Sequence, residues 1–510
     1  MTKRQKEVHQ MKHRSVAVIG GGPAGLFTAR LVKIADPSVE VTVYERNGTD
    51  TATFGFGVGL TEATMTNVGR ADPEAAESIR AASWAGHDLR LRHVIDDVAR
   101  DIPLHGARNL AIGRAQLLDV LERLAIGSGV VVRHGARVTA AELDADVIVA
   151  ADGVRSATRA AVADEVGFTE TVGRGLYMWC GLNAAVRDAF FAARWSGDAL
   201  FVTHAYPYDL NHSTFLLETD ERSFAEAGLG AFDATAPASE SDERSIALLE
   251  KVFAEELGYR RLLANRSRWS RFSTVSLERW SVRNTVFVGD TAHTAHYTLG
   301  SGTKLALEDA IALARALGEH DDRAEAFAAY EAARRPAVER FKHLAHRSQR
   351  WWETYRLRVE AATPEEIALS YMTRAGNLSV RDFADSEPAT AYAALERLGA
   401  HPPTDTGALD GWILSRAETF DPTAQFDEVM WLGSDAWGQI ADKKIEGLTG
   451  DTVYVAGPPD ARSVDERIDL AERIKLTSNR TVFVAAPDEF RSVAATAVAA
   501  ARCDGVDFTR

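Results

Sequence analysis

The chain has 510 residues, too many for one compact core, so two or three domains are expected. Hydrophobic residues make up 46% and charged residues 26%, the balance of an ordinary globular protein. A formal net charge of −15 argues against nucleic acid as a partner, and two cysteines without a CxxC pair exclude a disulfide framework or a cysteine-rich metal site.

In chain order, residues 1–14 are polar and basic and lack the apolar stretch of a secretory signal, so they read as an arm before the fold. No apolar run reaches membrane-spanning length; a cytoplasmic protein with no membrane partner and no metal is expected. Ser15–Ile19 (SVAVI) is a β-rich run ending in glycines, 24–35 is helical and 40–45 (EVTVYE) is a second strand, which together make a βαβ unit. An amphipathic helix at 114–126 is followed by a strand at 130–134, and 146–151 (DVIVAA) has the apolar texture of a buried parallel strand.

Between 172 and 283 the strands lengthen, as at 175–183 and Ser213–Thr219, which predicts a second sheet inserted into the first domain. Residues 284–288 return to the first style, 305–317 is helical, and 323–361 is almost continuously so. The Pro/Thr/Asp-rich 401–406 is the linker candidate. Beyond it TVYVAG, IDLAERIKL, TVFVAA, FRSVAATAVAAA and GVDF alternate as β-α-β-α-β. The expected class is α/β. A Rossmann-like three-layer domain spans 14–171 and 284–335, and a mixed β-sheet substrate domain spans 172–283. A helical segment (336–395) and a small C-terminal α/β appendage (407–510) complete it.

Gly20, Gly22 and Gly25 form GxGxxG directly between a strand and a helix. The first glycine makes the turn, the second lets a diphosphate approach the backbone, and the third lets helix and strand pack closely. Glu45 ends the second strand about 20 residues on, where a carboxylate can accept ribose hydroxyls. The alternative is a glycine-rich turn with a purely structural role.

Further motifs follow: Arg114 opening a helix after LAIG, Asp152-Gly153 in ADGVRSATR, and Gly289-Asp290 in GDTAHTAHYTLGSGTKLALED. In this order, over residues 14–390, they make the chain resemble the class A FAD-dependent aromatic monooxygenases. The resemblance implies FAD as cofactor, with Arg46 and Arg114 as contacts, Arg114 facing the phosphates, and Asp290 on the ribityl hydroxyls. Asp152, with Arg159 nearby, would sit where the diphosphate and a visiting NADH or NADPH are sensed. Gly300, Gly302 and Thr303 would aim backbone N–H groups at the flavin N1/O2 edge. The implied reaction is ring hydroxylation with O2 through a flavin C4a-hydroperoxide.

Many members carry a proline-containing run and an asparagine where this chain has His296, Tyr297 and Lys304. With FGFGVGLTEAT (54–64), HAYPYDLNHSTFLLETDE (204–221) and MTRAGNLS (372–379), these residues resemble the subgroup acting on aryl-CoA thioesters, the salicylyl-CoA 5-hydroxylases and anthraniloyl-CoA monooxygenases. The implied product is the 5-hydroxy derivative of a salicylyl-CoA-like thioester. A free phenol, a natural-product substrate and anthraniloyl-CoA stay open. A flavin halogenase is disfavoured because the chain has no WxWxIP-type segment, and a non-enzymatic scaffold because the motifs are intact.

A CoA thioester calls for a basic cluster, offered by the arginines of 260–272 or by 334–358, where Arg347 and Arg350 are the candidates; a solvated helix face is the alternative. Tyr177, Trp179, His204, Tyr206 and Tyr208 are read onto the inserted sheet, which in this family roofs the ring pocket. Alternation puts Tyr177 with Trp179, and Tyr206 with Tyr208. His204, Tyr206 and Lys304 are candidate substrate contacts. His296, Tyr297 and Tyr208 are the catalytic candidates, His296 as the base that takes a ring hydroxyl's proton. His293 reads as structural. The appendage faintly resembles the last βα units of an old-yellow-enzyme barrel, is too short to close eight strands, and suits packing or homodimer formation.

Overall fold

The structure, a computed structural model, describes residues 11–49, 56–85, 89–95, 98–104, 110–232, 236–237, 239–300, 302–360 and 362–509. Residues 1–10 of the N-terminal arm, Phe54 and Gly55 of the FGFGVGLTEAT segment, and Ser301 lie outside them. The chain forms two units: Met1–Leu89 with Ala107–Ala345, and Arg90–Gly106 with His346–Arg510.

In the first unit a six-stranded sheet runs in the order Ser281–Val282, Thr285–Phe287, Val147–Ala150, Ser15–Ile19, Glu40–Tyr44, Val131–Arg133. All neighbours are parallel except the first pair. The central strands are Val/Ile/Ala runs with almost every residue buried, as a sheet covered on both faces demands. The Pro23–Ala35 helix starts with proline at its first turn, where the missing N–H is no loss, and packs against the Gly302–Glu319 helix.

The inserted sheet is antiparallel. Its strands run in the order Leu262–Leu263, Thr169–Leu182, Ser213–Thr219, Ala199–Pro207, Ala189–Ser196, and Ser270–Ser276 also pairs with Thr169–Leu182. One face carries Met178, Cys180, Phe201, Ala205, Phe215 and Leu217 into an apolar core with Ile246, Leu249 and Phe253. By alternation the other face carries Tyr177, Trp179, His204, Tyr206 and Glu218. A three-stranded patch (Gly57–Leu60, Leu110–Gly113, Trp84–Ala85) completes the sheets of this unit.

The second unit contains a parallel sheet in simple order, Asp427–Met430, Thr452–Ala456, Thr481–Ala485, Gly505–Asp507. The first of these strands was not anticipated from sequence, because DEVM is short and half polar. Four strands do not close a barrel. Phe420 and Phe426 pack on Tyr454, and Phe420 also on Phe483. The division at 336 and 401–406 is corrected here: the unit boundary lies inside the Arg323–Glu353 helix, and the helices after 346 belong with the appendage.

Candidate active site

The glycine turn is shaped as its sequence demands. Gly20 has φ of +109°, and a Cβ there would lie 2.3 Å from the Ala151 carbonyl oxygen. A Cβ on Gly25 would lie 2.1 Å from the Gly20 oxygen, whereas one on Gly22 would meet nothing within 4 Å. Two glycines therefore permit the packing, and the third keeps open the backbone that a diphosphate would approach. Glu45 accepts hydrogen bonds from the Gly21 and Asn47 N–H groups, both at 2.8 Å, which fixes its carboxylate beside that turn. Arg46 is exposed.

The second half of the cradle is a loop held from beneath. Asp309, fully buried, accepts from the Gly289 N–H at 3.0 Å, from Arg334 Nε at 2.8 Å and pairs with His293 Nε2 at 2.8 Å. Burial alone would raise its carboxyl, but His293 and Arg334 outweigh that and hold it low. His293 is thus a structural brace. Asp290, next in the chain after Gly289, is exposed to solvent at its surface yet crowded by surrounding protein. Burial pushes its carboxyl up from the ordinary aspartate value, opposed mainly by the charge of Arg114. Arg114, first residue of the Arg114–Gly127 helix, therefore faces Asp290 electrostatically.

Arg159 donates to the Thr291 carbonyl at 3.0 Å, and the Gly153 N–H donates to Thr291 Oγ1 at 2.8 Å, so the two motifs are stitched together. Asp152 accepts from Ser156 Oγ at 2.6 Å and from the Thr158 N–H and hydroxyl at 3.1 Å, capping the Ala157–Ala160 turn. Its carboxylate thus organises that turn. Gly300 has φ of +63°, a conformation that favours glycine, and reverses the chain after Tyr297–Leu299. Gly302 then starts the Gly302–Glu319 helix within 4.0 Å (measured from its Cβ position) of Asp290 Oδ1, with Thr303 half-buried behind it. The first N–H groups of that helix have no intrahelical partner and carry its positive end.

Between Asp290 and Gly302 the same loop docks on the inserted sheet. The Tyr297 ring packs edge-on to Tyr177 (5.1 Å), Trp179 (5.8 Å) and Phe272 (5.8 Å). Its hydroxyl donates to Glu218 Oε1 at 2.5 Å, and the other oxygen of Glu218 pairs with His204 Nε2 at 3.1 Å. His296 is buried, lies 4.1 Å from the Tyr297 ring between centroids, and pairs through Nδ1 with Thr298 Oγ1 at 3.0 Å. The structure thus gathers His296, Tyr297, His204, Tyr177 and Trp179, of which alternation along the sequence pairs only Tyr177 with Trp179.

Other candidates are engaged elsewhere. Tyr206 donates its hydroxyl to the Gly57 carbonyl at 2.7 Å, and burial pushes it up to about 12. Tyr208 lies beyond the end of its strand, its ring 2.7 Å from where a Gly57 Cβ would stand and stacked on His212. Both brace the Gly57–Leu60 strand. Lys304 lies over the Phe341 ring at 5.1 Å. Arg347 and Arg350, read as candidate phosphate ligands, are engaged by carboxylates. Arg347 is buried, paired with Asp469 at 2.9 Å and Asp465 at 2.8 Å, and Arg350 is paired with Asp435 and Glu353. Carboxylates of their own unit already neutralise both. Sequence reasoning missed Glu218. Its only signal was one acid in the strand Ser213–Thr219, where every residue is buried.

The model of a family described as an FAD binding domain matches residues 13–345. A salicyloyl-CoA 5-hydroxylase from Streptomyces sp. is 39% identical over 383 residues, 72% of this chain and 72% of its own length. A 3-hydroxy-4-methyl-anthranilyl-[aryl-carrier protein] 5-monooxygenase from Streptosporangium sibiricum is 38% identical over 370 residues, 72% of this chain and 96% of its own. Among solved structures, 2-methyl-3-hydroxypyridine-5-carboxylic acid oxygenase shares the fold with a TM-score of 0.54 at 19% identity, over 75% of this chain and 98% of the other. The glycine turn, the Gly289–Asp290 loop and these matches lead to one conclusion: the chain belongs to the FAD-binding family of class A flavin-dependent aromatic monooxygenases.

Proposed function

We propose that this enzyme hydroxylates the ring of an aromatic acyl thioester of the salicylyl-CoA type at the 5-position, with NADH or NADPH as reductant. The observation that carries the proposal is the single loop from Asp290 to Gly302. Its ends belong to the cofactor cradle, while Tyr297 in its middle is bound to the polar face of the inserted sheet. A ring held on that face would lie beside the cofactor. Both relatives named above act on an aromatic ring carried as an acyl group, one on CoA and one on a carrier protein.

FAD, when bound, supplies the electron transfer and oxygen activation that side chains lack. Gly20, Gly22 and Gly25 would admit its diphosphate, and Glu45, Arg114 and Asp290 are the residues that would hold its ribose, phosphate and ribityl groups. The unpartnered N–H groups at Gly302 and Thr303 would stabilise negative charge on the bound cofactor. His296 takes the substrate hydroxyl's proton at Nε2, with Nδ1–H donated to Thr298 Oγ1, which raises the ring's electron density. Tyr177, Trp179 and Phe272 exclude water.

A carrier-bound aryl group is the second reading. Its support is the relative named above that acts on a ring held by an aryl-carrier protein. The deciding assay is NADH and NADPH oxidation with salicylyl-CoA, anthraniloyl-CoA and their free acids, with product mass measured. Thioester-dependent turnover with a gain of one oxygen is expected. Turnover of the free acids alone would overturn the thioester proposal.

A further inference from the structure

Glu218 is the one acidic group on the polar face of the inserted sheet whose partners are a histidine of the next strand and a tyrosine of the motif loop. Register puts it opposite Tyr177 on one side and Val202 on the other, diagonal to His204. A carboxylate this deeply buried is costly unless paired and hydrogen-bonded, and here each of its oxygens has a partner. Burial by itself would raise its carboxyl, but the charge and hydrogen bond of His204, then the charge of His296 and the Tyr297 hydroxyl, hold it below the ordinary value. Near neutral pH it is ionised and can only accept.

The proton shared with Tyr297 stays on the phenol oxygen, because the ionised Glu218 carboxylate can only accept. The direction of the 2.5 Å bond is therefore fixed: Tyr297 donates and Glu218 accepts. A hydroxyl has a single proton. Toward any further partner the Tyr297 oxygen acts as an acceptor.

We infer that Glu218 is a specificity-determining positioning residue. By holding the Tyr297 proton, it leaves the Tyr297 oxygen an acceptor for the ring hydroxyl or amino donor of the bound substrate, before any proton passes to His296, and so selects such rings over rings that lack a donor. The inference rests on the aromatic-substrate reading above and adds the chemistry of the ring substituent. With an apolar residue at 218 the Tyr297 hydroxyl rotates freely, donates as readily as it accepts, and the selection disappears.

The test is binding to the FAD-loaded enzyme, followed by the change in flavin absorbance. Paired probes are 2-hydroxybenzoyl-CoA against 2-fluorobenzoyl-CoA, and the two free acids; fluorine is near a hydroxyl in size and has no proton to donate. In the unaltered enzyme the hydroxy probe is expected to bind roughly tenfold more tightly, the effect of one hydrogen bond to a prepared acceptor. In Glu218→Leu, and separately in Tyr297→Phe, the ratio is expected to fall to within about twofold, and the double variant to show no further loss.

A ratio unchanged in Glu218→Leu, or a loss of both probes by the same factor, overturns the inference. If Glu218→Leu does not load FAD, Tyr297→Phe decides, an unchanged ratio again being fatal. Binding of the free acids but not the thioesters defeats the thioester reading, and the free-acid ratio still judges Glu218.

Discussion

Asp290 carries a conflict between stability and binding within one side chain. Its surroundings desolvate the carboxyl and raise its pKa, with Arg114 offsetting part of the effect. The folded chain therefore keeps a proton that the unfolded chain releases above the ordinary aspartate value of about 3.9. The associated stability is present at low pH and is lost as pH rises through the raised pKa. At neutral pH the ionised group costs FAD-stripped protein stability, a cost that a ligand's hydroxyls would offset. Asp290→Asn is expected to raise the apparent melting temperature of FAD-stripped protein at pH 7, with the gain shrinking toward pH 4. It should also weaken FAD binding by about 10- to 100-fold, the loss of a charged hydrogen-bonding partner. Thermal melts between pH 4 and 8 and a flavin fluorescence titration check both halves. A lower melting temperature with unaltered FAD affinity would remove Asp290 from the cofactor site.

At the scale of elements, the Arg323–Glu353 helix shows how a charge run can mislead. Arg347 lies where a basic helix face was expected to meet phosphate. Instead it grips Asp465 and Asp469 on the Ala461–Thr477 helix, and these outweigh burial to hold its guanidinium firmly protonated. Arg347→Ala is expected to destabilise the second unit by about 3 kcal/mol, since two partly buried carboxylates lose their counter-ion. The KM for a thioester should stay within about twofold. Denaturant melts beside steady-state kinetics separate this outcome from phosphate binding, which would raise KM without the loss of stability. The same helix explains what sequence could reveal. The demands on Gly20 and Gly25 come from atoms of one βαβ unit and its neighbouring strand, so spacing alone exposes them. Glu218 meets Tyr297 only through sheet register and the docking of a loop 79 positions away, and Arg347 meets Asp469 across 122 positions. Alternation reads Tyr206 and Tyr208 onto one face, but the strand ends at Pro207; Gly57 takes the Tyr206 hydroxyl and packs against the Tyr208 ring.

At the scale of the whole molecule, the Pro/Thr/Asp-rich stretch 401–406 has the composition of a domain linker, yet it lies inside the second unit. Contacts between the chain before it and the chain after it are numerous and largely buried. Arg347 pairs with Asp465 and Asp469, Arg350 with Asp435, and Arg358 with Glu472 at 2.8 Å. The Val380 N–H donates to Thr496 Oγ1 at 3.0 Å, and Arg397 to the Ala499 carbonyl at 2.9 Å. Ending the chain near residue 400 would strip the arginines of their carboxylates and leave buried charges unpaired, a far larger penalty than the loss of a detached module. Cutting without removal is different, since every contact survives a nick in an exposed turn. Limited proteolysis is therefore expected to cleave within 401–406 and leave both fragments co-eluting at the intact mass, with FAD and activity retained. A chain ending at 400 should instead aggregate or lose most of its soluble yield. A fragment beginning near 407 that separates on gel filtration from a soluble, active remainder would show that the appendage is an independent domain after all.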